Sequence, residues 1–169
     1  MNNGYKSIAY HGTTRLKAVS IIKQKSFTVS RDDEEWLGDG IYFFEGDIRQ
    51  AQYWCTKSRH YKEWAVIKSI IEAQTVINLV DTDTYERFAA SFGKFDGKYK
   101  TRKNKEPRKI INAVVLNALY DKMKYDVVRA IFPVTYMDRA KRSNILPMQI
   151  QLCIRHNDCI KTIEEVKVI

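Results

Sequence analysis

The spacing of apolar and polar residues changes several times along the chain, and each change predicts a new strand or helix. Runs of apolar, aromatic and β-branched residues predict strands. These runs lie at 8–10, 26–30, 41–44, 63–71, 75–80, 125–132 and 148–155. Capping residues followed by apolar residues three or four apart predict helices. These segments lie at 14–25, 47–58, 84–92 and 110–123.

The pattern also predicts which helix faces are buried. In the first helix Leu16, Val19 and Ile22 recur at a spacing that favours one inward face. The helix at 110–123 is apolar over most of its surface, so we expect it to be buried. The helix at 47–58 is expected to turn Ala51, Trp54 and Cys55 inward.

Length and composition fit a single globular domain over residues 1–169. The chain has 169 residues, of which 44% are hydrophobic, enough for one core. The first residues lack the apolar run of a signal peptide, and no stretch of eighteen uncharged apolar residues occurs. We therefore expect a cytoplasmic protein that does not enter a membrane. The three cysteines have no close pairing, which favours free thiols over a disulfide or zinc site, and no metal is expected.

The positive charge is concentrated. The formal net charge is +9, and residues 93–109 hold eight Lys or Arg against two acidic residues, which supplies six of those nine charges. Phe92, Phe95 and Tyr99 alternate with the cations, a mixture suited to phosphate contacts and base stacking on a single strand. A solvated basic loop is nearly as good an interpretation. The candidate nucleic-acid-binding residues, including two from the loop at 135–147, are Lys98, Lys100, Arg102, Lys103, Lys105, Arg139 and Arg142.

Two short motifs carry the candidate chemistry. The segment 36–44 reads Trp-Leu-Gly-Asp-Gly-Ile-Tyr-Phe-Phe, a glycine turn that leads into an aromatic strand. Upstream, His11 ends an apolar strand and Gly12 follows it. Together they could clamp a nucleotide-like ligand through ring stacking, a histidine hydrogen bond and glycine backbone. Taken singly, each motif is more often an ordinary turn and a core strand.

This pattern resembles the ADP-ribosyltransferases of the poly-ADP-ribose polymerase and diphtheria-toxin branch, which carry a His-Tyr-Glu triad. The matching features are His-Gly-Thr before a helix, Gly-Asp-Gly-Ile-Tyr-Phe-Phe, and a helix with Tyr53 eleven residues after Tyr42. The resemblance implies an α+β fold, with a split core of two packed, mainly antiparallel β-sheets and flanking helices. Its motifs occupy about thirty residues, although it extends over most of the chain.

By this resemblance NAD is the substrate, and each matched residue has a role. His11 would bind the adenosine ribose, Gly12 backbone would hold the nicotinamide amide, and Thr13 belongs to the same motif. Tyr42 and Tyr53 would stack on the nicotinamide. The chain departs from the family at the triad glutamate, because the late strand offers Gln149 and Gln151 on one face and no carboxylate.

Gln151 is favoured over Gln149 because buried residues continue the strand after it. This gives His11, Tyr42 and Gln151 as the candidate catalytic set. Glutamine cannot take a proton or carry a charge, so Glu34, Glu35 or Glu45 could act instead from a loop. The substitution argues for transfer of a single ADP-ribose rather than polymer growth.

The favoured function is a mono-ADP-ribosyltransferase that modifies a nucleic acid, with RNA preferred, as a toxin or phage-defence effector would. An antitoxin or other inhibitor protein is a conceivable partner of such an effector. Two alternatives stay open. One is the same reaction on a protein, and the other is a module that binds NAD, ADP-ribose or RNA without turnover.

Overall fold

The computed structural model describes residues 4–31, 35–92, 107–134 and 145–167, with side chains described for all of these except 107–111. Within these ranges the chain is α+β, with seven strands and four α-helices. The strands are β1 (Tyr5–Thr14), β2 (Ile41–Glu45), β3 (Trp64–Ala73), β4 (Val76–Asn78), β5 (Val127–Pro133), β6 (Met148–Ile154) and β7 (Glu164–Val166). The helices are α1 (Arg15–Gln24), α2 (Ile48–Tyr53), α3 (Thr82–Phe92) and α4 (Pro107–Met123).

The seven strands form one sheet in the order β4-β5-β6-β2-β1-β3-β7. All neighbouring pairs are antiparallel except β4 with β5. We expected two separate sheets, but hydrogen bonding is continuous because β1 and β2 still pair. That link is short, since only Ala9 with Glu45 and Tyr10 with Phe44 are in register. β1 otherwise follows β3, and β2 follows β6.

Both faces of the sheet are covered by apolar residues. One face carries Ala9, Phe43 and Leu152 beneath Ala18 and Ile21 of α1. On the other face, Val115 and Leu116 of α4 pack against Val128 and Cys153. A third cluster joins α2 to the sheet through Ala51, Phe44 and Val66. The sheet is therefore a central layer with helices packed on both of its faces.

Local capping sets the ends of α1 where the sequence predicts them. Thr14 accepts a hydrogen bond from the Lys17 amide, and Lys25 ends the helix in a left-handed conformation with φ +50°. The predicted inward face of this helix is wrong, because Leu16 is 82% exposed and Val19 is 52% exposed. Ala18 and Ile21 are the buried residues instead, because the helix packs against the sheet through these two side chains.

One strand prediction is wrong. Residues 26–30 do not form a strand, and only Ser30 pairs, through an isolated bridge to Gly40. β3 and β4 follow each other in the chain but are not neighbours in the sheet, because β4 is the edge strand on one side and β3 lies next to the edge strand β7 on the other. The predicted elements at 41–44, 47–58, 84–92, 110–123, 125–132 and 148–155 are present with boundaries shifted by a few residues. Cys55, Cys153 and Cys159 are free thiols, as expected, and all three are buried.

No helix in the described ranges combines the length and the apolar character needed to cross a membrane.

Candidate functional site

A cavity of about 350 Å³ opens where β1 and β2 separate. Its wall is built from β1 and β2 at the point where they separate, one side of α1, described residues of the stretches 26–30 and 35–36, and the segment that follows α2. His11, Gly12, Thr13, Tyr42 and Gln151 all line it. The structure therefore brings five of the residues singled out in the sequence to one opening.

The His11 side chain bridges the gap between the separating strands. Its Nδ1 lies 2.7 Å from the carbonyl oxygen of Tyr42. Because a carbonyl only accepts, Nδ1 carries the proton, and a neutral ring then leaves Nε2 as an acceptor. Phe27 and Phe43 hold the ring through edge and tilted contacts at 5.2 and 5.5 Å. Burial lowers the pKa of His11 below its ordinary value of 6.5 and favours this neutral form.

The backbone of Gly12 faces the opening. The Ile8 carbonyl accepts from Gly46 on the β2 side, and the Arg15 amide donates to Glu63 on the β3 side. Backbone groups of alternate residues in a strand point to the same side. Gly12 is four residues after Ile8, so its N–H and C=O point towards β2, where strand pairing has ended.

Packing explains why residue 12 is glycine. A Cβ there would lie 2.3 Å from the Ala51 carbonyl oxygen and 2.7 Å from the Cys55 sulfur. Close approach of α2 therefore requires the glycine, whether or not a ligand is bound. Thr13 is 5% exposed beside it.

The Tyr42 hydroxyl is engaged by the turn that precedes β2. It accepts from the Leu37 amide at 3.0 Å and donates to the Gly38 carbonyl at 2.8 Å. Burial raises the pKa of Tyr42, and nearby Cys153 and Glu35 add to the effect. The hydroxyl therefore stays protonated, and the ring is the part of Tyr42 that can meet a ligand.

Asn117 of α4 holds the same turn from the other side. Its side-chain oxygen accepts from the Asp39 amide at 2.9 Å, and its Nδ2 donates to the Asp39 carboxylate at 3.1 Å. Gly38 has φ +82°, and a Cβ there would lie 2.4 Å from the Asn117 oxygen. Arg155, 6% exposed, also donates to the Asp39 carbonyl. The turn is thus fixed by α4 and the end of β6.

Aromatic rings cover the Tyr42 side of the cavity. Trp36 packs edge-on against Tyr42 at 5.5 Å and against Trp54 at 6.1 Å. Phe44 lies 6.4 Å from Trp54, and the Arg59 guanidinium stacks over Trp54 at 4.6 Å. Trp36, Phe44, Trp54 and Arg59 all line the cavity.

Tyr53 is not among the described residues that line the cavity, although it was singled out as the second stacking ring. α2 ends at Tyr53, and a π-helical turn (Trp54–Ser58) follows. This wider turn presents Trp54 to the opening, one residue after the expected position.

Register in β6 distinguishes the two candidate glutamines. Gln151 pairs with Phe44 of β2 and with Ala130 of β5, is 5% exposed and lines the cavity. Gln149 pairs only with Phe132, beyond the end of the β2 ladder, and is not part of the described cavity wall. The amide at position 151 is the one near Tyr42.

Charged side chains near the cavity differ in whether they line its wall. Lys17 and Arg59 line it and are exposed to solvent. Among the described lining residues, Glu35 is the only carboxylate. Glu45 does not line the cavity. Its carboxylate forms a salt bridge with Arg129 at 2.7 Å and accepts a hydrogen bond from the Tyr5 hydroxyl at 2.5 Å. Glu34 lies outside the described residues.

All seven predicted nucleic-acid-binding residues lie outside the described ranges. These residues are Lys98, Lys100, Arg102, Lys103, Lys105, Arg139 and Arg142.

One cluster has no signal in the sequence. Asp126, His156 and Cys159 bring their ligand-type atoms within 4.8 Å of one another. His156 Nε2 lies 3.0 Å from the Asp126 carboxylate, whose other oxygen accepts from the Gln74 and Thr75 amides. Burial raises the pKa of the Cys159 thiol to about 11. These hydrogen bonds link the start of β5 to the turn after β6, which gives the cluster a structural role.

Comparison with known proteins adds a relative but no established activity. The fold and the cavity define an α+β protein with a ligand-sized opening at a split in its sheet. The chain is similar to the uncharacterized protein MJ0359 of Methanocaldococcus jannaschii, at 28% identity over 92% of this chain and 85% of that protein. No family model matches the chain, and no solved structure matches it.

Proposed function

We propose that the protein is an NAD-dependent mono-ADP-ribosyltransferase with an ADP-ribosyltransferase-like split sheet. The observation that carries this proposal is the cavity at the separation of β1 and β2, where His11, Gly12, Tyr42 and Gln151 meet. Its volume suits a nucleotide-sized ligand or a large part of one. It offers a histidine acceptor, open glycine backbone and aromatic ring faces.

Most parts of NAD have a matching group in the cavity wall. The His11 Nε2 acceptor suits a hydroxyl of the adenosine ribose, and the Gly12 N–H and C=O suit the carboxamide of nicotinamide. Tyr42 and Trp54 supply ring faces for nicotinamide, so Trp54 takes the part first assigned to Tyr53. Lys17 and Arg59 are the cations suited to the diphosphate.

In the reaction the bond between nicotinamide and ribose C1′ breaks, and its electron pair leaves with nicotinamide. The acceptor then forms a new bond to C1′ and loses a proton. The transition state carries positive charge on the ribose, so groups that hold the ribose hydroxyls accelerate the step. Gln151 suits a ribose hydroxyl, because its amide both donates and accepts hydrogen bonds.

The acceptor we propose is a nucleic acid, with RNA preferred. The support is the sequence of 93–109, where cations alternate with aromatic residues, together with the net charge of +9. A toxin or phage-defence effector that modifies RNA would need such a surface, and an antitoxin or other inhibitor protein is the partner that this role implies. The other candidate acceptor is an acidic protein, which the same charge would attract.

The test is transfer of labelled ADP-ribose from NAD to separate pools of RNA, DNA and protein. Label on RNA that is released by ribonuclease and survives protease supports the proposal. Label only on protein refutes the nucleic-acid acceptor, and NAD binding without transfer or nicotinamide release refutes the enzyme in favour of a binding module.

Two matched variants connect any activity to the cavity. Trp54→Ala should weaken NAD binding by about tenfold, which corresponds to the loss of one aromatic contact. Tyr53→Ala, one residue away, should change it by less than about threefold, because Tyr53 is not part of the described cavity wall. Equal effects of the two variants would contradict this placement.

A further inference from the structure

The carboxylate of Glu35 lies at the cavity and has a defined support. The Ser30 hydroxyl donates to Glu35 Oε1 at 2.6 Å. Ser30 is itself held by two backbone hydrogen bonds to Gly40, at 2.8 and 3.0 Å. The bridge between Ser30 and Gly40 lies directly before β2, so it fixes this carboxylate relative to Tyr42.

The neighbours of Glu35 place it on the aromatic side of the cavity. The next residue, Trp36, packs edge-on against Tyr42 at 5.5 Å and against Trp54 at 6.1 Å. The negative charge of Glu35 also adds to the raised pKa of Tyr42, after burial and Cys153. The charge is therefore close enough to Tyr42 to be felt at its hydroxyl.

Other described carboxylates near β2 do not line the cavity. Glu45 is 14% exposed and pairs with Arg129 away from the cavity wall. Asp39 is bonded to Asn117, and it does not line the cavity. The late strand offers only the neutral amide of Gln151.

We propose that Glu35 supplies the negative charge that the late strand lacks. This inference rests on the proposed function. As the bond from C1′ to nicotinamide breaks and its electrons leave with nicotinamide, the Glu35 carboxylate stabilises the positive ribose. It then takes the proton that the acceptor hydroxyl loses as its oxygen bonds to C1′, and passes that proton to water. Gln151 holds the ribose, and the charge comes from a different part of the chain.

The experiment measures nicotinamide release and NAD affinity for the full chain and for Glu35→Gln. This substitution keeps the shape and removes the charge. We expect kcat to fall about 100-fold or more, the usual effect of losing a general base. The dissociation constant for NAD should change by less than about threefold, because the neutral side chain still fills the loop. Glu86→Gln, on the exposed side of α3, is the matched control and should retain wild-type kcat.

A second variant separates a charge effect from a loop effect. Adding Gln151→Glu to Glu35→Gln restores a carboxylate at the same cavity, and we expect it to recover at least about tenfold in kcat. A purely structural role for Glu35 would not respond to a charge placed on β6.

Three outcomes would overturn the inference. If Glu35→Gln retains wild-type kcat, the proposed function stands and Glu35 is not its carboxylate. If NAD affinity falls in step with kcat and Gln151→Glu restores neither, Glu35 only holds the loop. If the wild-type protein binds NAD but releases no nicotinamide, the proposed function fails and this role fails with it.

Discussion

Removal of one hydroxyl group tests whether Tyr42 fixes the turn before β2. In Tyr42→Phe the ring remains, but the Leu37 amide loses an acceptor at 3.0 Å and the Gly38 carbonyl loses a donor at 2.8 Å. Leu37 is 2% exposed, so water cannot readily replace the lost partner. A buried donor left without an acceptor costs about 1–3 kcal/mol.

The Gly38 carbonyl loses less than the Leu37 amide. The Cys153 sulfur lies 3.7 Å from that oxygen and remains as a weak donor. We therefore expect the free energy of unfolding to fall by about 2 kcal/mol in total, mostly from the Leu37 amide.

Urea unfolding followed by tryptophan fluorescence measures this loss, with an unchanged m-value as the sign that only stability changed. Hydrogen exchange at the Leu37 amide should become faster in the variant. Tyr85→Phe is the control, because Tyr85 is 54% exposed on α3 and should unfold as the wild type does. A loss below about 0.5 kcal/mol, with unchanged exchange at Leu37, would refute the reasoning.

Two further predictions concern β1. Gly12→Ala should lower the free energy of unfolding by about 3 kcal/mol, the upper end of the cost of overpacking, because its Cβ would lie 2.3 Å from the Ala51 carbonyl oxygen. Gly46→Ala, where nothing lies within 4 Å but φ is +72°, should cost about 1 kcal/mol, and an equal cost for both would contradict the packing argument. The lowered pKa of His11 means that the unfolded chain binds a proton that the folded chain does not, so stability is full above pH 6.5 and declines as pH falls below it. Urea unfolding at pH 7.5 and 5.5 should show a smaller decline for His11→Gln than for the wild type, and equal declines would count against a buried neutral imidazole.

Elements governed by local rules were predictable from the sequence. Thr14 caps α1, Lys25 ends it, and the aromatic run at 41–44 forms β2, as predicted. A cap or a run of β-branched and aromatic residues acts over a few positions, so neighbouring residues contain the information.

Tertiary contacts overruled other predictions. Leu16 and Val19 have the spacing of a buried face, yet the sheet contacts Ala18 and Ile21. The sequence pattern does not specify which side of a short helix docks, because that depends on the space left by the partner layer. In the same way, the sequence pattern did not predict the π-helical turn after α2, where Trp54 rather than Tyr53 lines the cavity.

The motifs of the candidate site were readable in advance, and the resemblance implied that they act on one ligand, but the strand pairing that brings them to one cavity was not readable. His11 and Tyr42 stood out because glycine and an aromatic strand accompany them. The sequence already favoured Gln151 over Gln149, and the β2–β6 register, which joins residues more than a hundred positions apart, is what brings Gln151 to the cavity. The cavity position of Glu35 depends on the bond to Ser30 and on the bridge to Gly40.

The sequence by itself determined the local elements, the positions of the histidine and tyrosine motifs, and the concentration of charge at 93–109. Only the tertiary structure decided that the β1–β2 pairing ends after two residue pairs, and that the resulting gap gathers His11, Tyr42, Gln151 and Glu35. The physical reason is that strand order and register are chosen by burial across the whole sheet, whereas caps and turns are chosen by adjacent residues.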